Sequence, residues 1–228
     1  MESKNRVIAI DGPAASGKSS VSTIVSEKTG FLHINSGLMY RALTWSALNS
    51  GVDPSDAVSI IGHLNSIDLN CRKSGDSLIL MINGNDLGDE LKSERVNLSV
   101  SIVSAIKEVR DELVKRQRDY VQISDIVMEG RDIGSVVFPN AELKLFMTAS
   151  EDIRAQRRYH ELIAKGSEVS IEEVKVNLSK RDYIDSHRDT APLIQTNDAI
   201  VLDNSHLSQK EQLHWVLEKV KQISSTLE

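Results

Sequence analysis

Gly12-Pro13-Ala14-Ala15-Ser16-Gly17-Lys18-Ser19 is the stretch from which the rest of the chain can be read. It matches G-x-x-x-x-G-K-[ST], a pattern with physical demands: glycines let backbone amides curl round phosphate groups, and the following helix adds its positive end. Upstream, Val7 to Asp11 is a short apolar run ending at a Gly-Pro turn, which fits a buried strand of a parallel sheet. Downstream, Lys18 to Lys28 carries Val21, Ile24 and Val25 at helical spacings, and Gly30 stands where a left-handed cap is wanted. That context separates a phosphate-binding loop from a chance glycine turn. Gly12, Pro13, Ala14, Ala15, Ser16, Gly17, Lys18, Ser19 and Ser20 are therefore assigned to a nucleoside triphosphate such as ATP. Lys18 is expected to reach the β and γ phosphates, Ser19 to offer its hydroxyl to Mg²⁺, and Ser20 to donate to the α phosphate.

Outward from the loop, Phe31 to Ile34 reads as a second strand and Ser36 to Ser50 as a helix closed by Gly51. Asp53-Pro54 supplies an N-cap and first-turn proline for a helix to about Leu64. The alternation of strand and helix then breaks. Asp68 to Arg72 and Ser77 to Ile82 flank a Lys-Ser-Gly-Asp turn, and Asn83-Gly84 marks another, so about 65 to 90 reads as an inserted antiparallel hairpin or three-strand ribbon. Helical pattern resumes near Ser93, with Ile106, Val109, Leu113 and Tyr120 in one apolar stripe. Core strands follow at Ile126 to Met128, Leu143 to Phe146 and Ala199 to Leu202. The Ser150 to Lys165 helix stops at Gly166, and capping boxes at Ser170-x-x-Glu173 and Ser208-x-x-Glu211 open the last two helices. The expected fold is a doubly wound α/β unit of about five parallel strands, one domain over 1–228. Its core is placed at about 1–35, 103–150 and 190–228, with an insertion at about 36–102 and a further helical region at about 154–188.

The 228 residues are 40% hydrophobic, enough to bury one such core. The single Cys71 cannot form an internal disulfide, and the leading segment Met1 to Arg6 is charged and polar. No window approaches the roughly 18 consecutive apolar residues of a membrane span. A cytoplasmic monomer is expected. With 27 Lys plus Arg against 33 Asp plus Glu, the net charge of −6 argues against a large nucleic-acid footprint. Arginine clusters at Arg154, Arg157, Arg158 and at Arg181, Arg188 suit a small phosphate-bearing ligand instead. The six histidines show no pair at metal-ligand spacing on one helix, and Trp45 and Trp215 fall on helical apolar stripes as core residues.

A phosphate loop does not choose among kinases, GTPases and motor ATPases. Thr196-Asn197-Asp198 lacks the lysine of an Asn-Lys-x-Asp guanine reader, and one domain leaves little room for a remodelling ATPase's oligomer-facing arginine. The rest must come from the acceptor side. Asn35-Ser36-Gly37-Leu38-Met39-Tyr40-Arg41, Glu129-Gly130-Arg131-Asp132-Ile133-Gly134 and Arg181-Asp182-x-x-Asp185-x-x-Arg188 resemble the bacterial cytidylate kinase family. So do Val136 to Pro139, the arginine-rich helix at 154–158, Ala191-Pro192-Leu193 and the inserted ribbon, which spreads the resemblance over almost the whole chain.

The resemblance implies ATP-dependent phosphorylation of CMP and dCMP to CDP and dCDP, with Mg²⁺, in pyrimidine metabolism. Cytosine offers a donor at N4 and acceptors at N3 and O2, so a carboxylate beside a guanidinium complements it, and Asp132 with Arg110 is the expected pair. By resemblance Ser36 and Ser101 join the acceptor site, Ser101 at the base, and Arg181 and Asp185 lie at the sugar and acceptor phosphate. Arg41, Arg131 and Arg188 are expected to clamp that phosphate, because planar guanidinium forks fix phosphate oxygens where lysine gives only a point charge. Arg181, Asp185 and Arg188 share one helix face, which alone would read as an exposed ion-pair ladder; its coincidence with two other clusters favours a site. Arg154, Arg157 and Arg158 are expected from their spacing to point several cations one way; by resemblance they belong to a lid at about 154–188 that closes over the triphosphate, the insertion at about 36–102 binds the acceptor, and Arg157 and Arg158 join Lys18, Arg131 and Arg188 as catalytic groups. Asn35 and Glu129 stand where the family more often has aspartate, so an altered rate or metal preference is expected, not a different reaction. The rivals are a kinase for UMP or another small nucleotide, and a non-catalytic nucleotide-binding regulator, which has no reason to keep a second phosphate clamp.

Overall fold

The computed structural model describes residues 5–75 and 77–225; residues 1–4 of the polar leading segment and Asp76 of the expected hairpin turn lie outside the described residues. Five strands run parallel: β1 (Val7–Asp11), β2 (Leu32–Asn35), β6 (Ile126–Gly130), β7 (Leu143–Thr148) and β8 (Ile200–Asp203). Between β2 and β6 in sequence come β3 (Leu69–Ser74), β4 (Ser77–Ile82) and the short β5 (Asn85–Asp86). The sheet order is β3-β4-β2-β6-β1-β7-β8, with β5 on β4.

Every residue of β1 is buried, as expected for a strand covered on both faces. Alternation sends Ile8 and Ile10 into one core with Val21, Val25, Val216 and Val220, from α1 (Lys18–Thr29) and α8 (Gln209–Ser225). Val7 and Ala9 face a second core with Leu32, Ile34 and Val114. A third cluster joins α2 (Ser36–Asn49), α3 (Ala57–Ser66), α4 (Glu94–Ala105) and α5 (Lys107–Asp119) to the ribbon, with Trp45 and the half-buried Cys71 packed against it. The chain leaves β1 for β2 and β6 on one side and for β7 and β8 on the other. This puts a switch point, where open α/β sheets bind ligands, at the carboxyl end of β1.

The ribbon is antiparallel from Leu69↔Ile82 to Ser74↔Ser77, and both turn residues Asn83 and Gly84 have positive φ, 50° and 77°. One parallel bridge, His33↔Ser77, joins it to β2, so it continues the sheet edge. Two expectations need correction, and one element is new. The helical stretch from Ser93 breaks at Ile106, whose ψ of 120° is extended, giving α4 and α5. The cap of α3 is Asp56, which accepts from the Val58 and Ser59 amides, whereas Asp53 closes its own turn onto Ser55. The five residues Ile133–Val137 form a π-turn that the spacing of apolar residues does not announce. Both capping boxes form, ahead of α7 (Ile171–His187) and α8. Among the described residues no helix is long and apolar enough to cross a membrane.

Candidate active site

The loop after β1 needs glycine at its first position. Gly12 has φ 148°, and a Cβ there would lie 2.0 Å from the Met147 carbonyl oxygen. Gly17 (φ 91°) turns the chain into α1. Lys18 then folds back across the loop, donating to the Pro13 carbonyl at 2.7 Å and to Ser16 Oγ at 3.2 Å. Burial, reinforced by Arg131, pushes its ammonium down to about 7, with Glu129, Asp11 and Asp185 pulling the other way. A buried cation that no carboxylate contacts directly is poised for an anion.

Ser19 Oγ donates to Glu129 Oε2 at 2.8 Å, from the end of β6. The other carboxylate oxygen meets His33 Nε2 at 3.1 Å and Asn35 Nδ2 at 3.0 Å. Glu129 is 3% exposed, so the neighbouring strand ends hold one buried carboxylate against the loop's serine. Among the described residues no group of three acidic, His or Cys side chains gathers as a metal cage. Ser19 and Glu129 nonetheless offer the hard oxygens that Mg²⁺ takes in company with substrate phosphates. Ser36 donates to the Glu129 carbonyl at 2.8 Å, locking the start of α2 onto β6.

Directly after Glu129 the chain turns into the acceptor cluster. Buried Asp11 accepts from the Ile133 and Gly134 amides at 2.8 and 2.7 Å, fixing the π-turn beside Asp132. Burial raises its carboxyl to about 6 despite these two bonds. Asp132 pairs with Arg110 through one oxygen and with Arg188 at 3.4 Å through the other. Arg188 lies 3.8 Å from Asp185, which accepts from Arg131 Nε at 2.9 Å. Arg110, Asp132, Arg188, Asp185 and Arg131 thus form one chain of alternating charge from α5 through the β6 turn to the end of α7. Arg110 is 2% exposed; burial opposes its charge, but Tyr40 and Asp132 outweigh that and raise its pKa. Burial also acts against ionisation of Asp185, yet Arg131, Arg188 and Arg181 hold its carboxyl below the ordinary value.

Arg41 and Arg181 are not neutralised in the same way. Burial lowers Arg41 to about 9, with Arg181, Arg158 and Arg131 adding repulsion, and lowers Arg181 to about 10, with Arg131 the next cause. Guanidinium groups from α2, the β6 turn, α6 (Glu151–Ala164) and α7 therefore press on one another, as a site for a polyanion does before its ligand arrives. Ser101 is buried on α4, whose end is tied to the cluster by the Arg110 bond to the Ser104 carbonyl, 3.1 Å.

The arginines of α6 do not converge as their spacing suggests. Arg154 is spent on the Ala149 and Ala14 carbonyls and on Asp182, so it fastens α6 to the phosphate loop and α7. Arg157 binds Asn204, and Arg158 binds Glu161 at 2.8 Å while facing Arg41. Sequence reasoning missed Asp11, His33 and Asn204 as partners of the site. Asp11 closes an otherwise apolar strand, a readable signal; Asn204 lies in a plain Asp-Asn-Ser turn that carries none.

The sequence pattern of the cytidylate kinase family matches residues 8–222. The cytidylate kinase of Bacillus subtilis (strain 168) is 40% identical over 221 residues, 97% of this chain and 99% of that one. That of Streptococcus pneumoniae (strain Hungary19A-6) is 44% identical over 216 residues, 94% and 95% of the two chains. Among solved structures, a gluconokinase from Sinorhizobium meliloti 1021 superposes with a TM-score of 0.51 at 11% identity, covering 98% of this chain and 96% of its own. At that identity the likeness concerns the fold alone.

Proposed function

The chain belongs to the cytidylate kinase family, and we propose that its geometry serves that family's reaction as follows. It is a nucleoside monophosphate kinase that phosphorylates CMP and dCMP at the expense of ATP. The observation that carries the site assignment is continuity: Glu129 touches Ser19 of the phosphate loop, and Arg131 and Asp132 follow it into the acceptor cluster. Donor and acceptor phosphates can then meet between Lys18 and Arg131, with no protein nucleophile. Gly12 to Ser20 cradle the triphosphate, with Lys18 on its terminal phosphates. Arg41, Arg131 and Arg188 fix the acceptor phosphate for in-line attack, Arg181 and Asp185 lie at its sugar end, and Ser36, Ser101, Arg110 and Asp132 shape and read the base side. Arg157 and Arg158 deliver charge as the lid at about 154–188 closes, residues 36–102 hold the acceptor, and the remaining strands form the rigid core.

Ser19 and Glu129 are the residues that would hold Mg²⁺, which when bound neutralises charge on the phosphate oxygens. His33 and Asn35 keep the Glu129 carboxylate turned toward Ser19. E129Q is expected to raise the Mg²⁺ concentration needed for half-maximal rate by roughly 10-fold or more, and to weaken Mg²⁺-dependent ADP binding in calorimetry by a similar factor. An unchanged Mg²⁺ dependence in both would remove Glu129 from the metal's surroundings. A cytoplasmic monomer is the setting proposed.

Coupled ADP-release assays with CMP, dCMP, UMP and AMP test the acceptor reading. CMP and dCMP are expected to outpace UMP by roughly 10- to 100-fold in kcat/KM, the scale of one well-made base contact. Equal rates with UMP would overturn the base-reading pair, and binding without turnover would favour the regulator.

A further inference from the structure

We propose that Asn204 is a positioning residue for the phosphate loop: it sets the Ser16–Gly17 peptide so that the Gly17 amide faces the donor phosphates, and it joins that peptide to Arg157 of the lid helix. This rests on the reading of Gly12 to Ser19 as the donor-phosphate loop.

Asn204 follows β8 and is 0% exposed, far from the loop in sequence and against it in space. Its side-chain amide donates to the Ser16 carbonyl at 2.8 Å and to Gln212 Oε1 at 3.1 Å. Its side-chain oxygen accepts from Arg157 Nη1 at 2.9 Å, and its backbone oxygen accepts from Arg157 Nη2 at 3.0 Å. Its own amide donates to the Thr148 carbonyl at 2.9 Å. The orientation of the side-chain amide is set by these partners: turned over, its NH₂ would face the guanidinium and its oxygen the Ser16 carbonyl and Gln212 Oε1, so all three side-chain contacts fail.

The consequence lies in the geometry of a trans peptide, whose C=O and N–H point opposite ways. With the Ser16 carbonyl drawn to Asn204, the Gly17 N–H is aimed away from it, toward the concave face across which Lys18 reaches. The contact is close: a Cβ on Gly17 would sit 3.5 Å from both Asn204 Nδ2 and Gln212 Oε1. Gly17 also has the conformational freedom to turn its peptide over, at φ 91°. An external clamp on that peptide therefore has work that a stiffer residue would not leave to it. Because the same amide holds Arg157, a change in the lid helix and a change in the loop peptide are felt at one side chain.

The test uses N204A and the isosteric N204D, titrated calorimetrically with ADP and with CMP, with thermal melts to confirm folding. N204D keeps the acceptor for Arg157 and loses the donor to Ser16. Both variants are expected to weaken ADP by about tenfold or more, the scale of one buried hydrogen bond, while CMP stays within about twofold. The KM for ATP should rise with the KM for CMP unchanged, and the Gly17 amide resonance should move in ¹H–¹⁵N spectra of N204D. N204D binding ADP like wild type, or an equal loss of ADP and CMP, overturns the proposal. Wild-type protein that does not bind ADP would instead overturn the reading of the loop.

Discussion

Replacing Lys18 with methionine is expected to lower kcat by roughly 100- to 1,000-fold while leaving the folded protein intact, the scale at which one preorganised charge on the transferred group acts. The stability of the unliganded protein should move the other way. Lys18 is buried, and its ammonium falls from the ordinary 10.5 to about 7, chiefly because burial penalises the charge. Between about pH 7 and 10.5 the unfolded chain therefore binds more protons at this residue than the folded one, so its contribution to stability rises with pH across that window. Below about 7 the folded state carries the full cost of a buried cation, and K18M is spared it. Melting curves of both proteins from pH 6 to 10 check the linkage: K18M should exceed wild type most at the acid end, with the gap narrowing toward pH 10. A constant gap would remove Lys18 as its source, and retained turnover would remove it from the donor site.

The loop was legible because its residues are consecutive and their roles local: one strand, one turn, one helix start, each with its own signal. The five parallel strands were legible for the same reason, since each is a short apolar run between breakers. The acceptor cluster was legible in composition only. Arg110, Asp132, Arg188, Asp185 and Arg131 come from three separate elements, and their order in the alternating chain depends on where α5 and α7 dock. Spacing predicted that Arg154, Arg157 and Arg158 share a direction, but helical periodicity fixes only where a side chain leaves the helix. Fixed acceptors then divided them: the Ala14 carbonyl and Asp182 took Arg154, and Asn204 took Arg157. The π-turn after Asp132 escaped because it is held by Asp11, more than a hundred residues away.

Asp132 carries the second large effect, and its two substitutions should fail differently. In D132A, Arg110 and Arg188 lose their shared carboxylate while staying buried, and removing one partner of a buried pair costs about 3–5 kcal/mol. A lower melting temperature in that variant therefore says nothing about cytosine. D132N keeps the shape and one acceptor oxygen, and it adds an NH₂ that can donate to the O4 of uracil where a carboxylate repels it. The CMP to UMP ratio of kcat/KM should then fall by roughly 10- to 100-fold, through loss with CMP and gain with UMP together. The ratio isolates base reading because both substrates share the same phosphate clamp, and any general weakening of Arg188 cancels. If D132N lowers both substrates equally, Asp132 acts as the counter-ion of two buried arginines and the base is read elsewhere, with Ser101 on α4 the next residue to exchange. If the ratio collapses while the KM for ATP holds, the charge chain has two functions at once, since the carboxylate that keeps Arg110 and Arg188 in place is also the group the base meets.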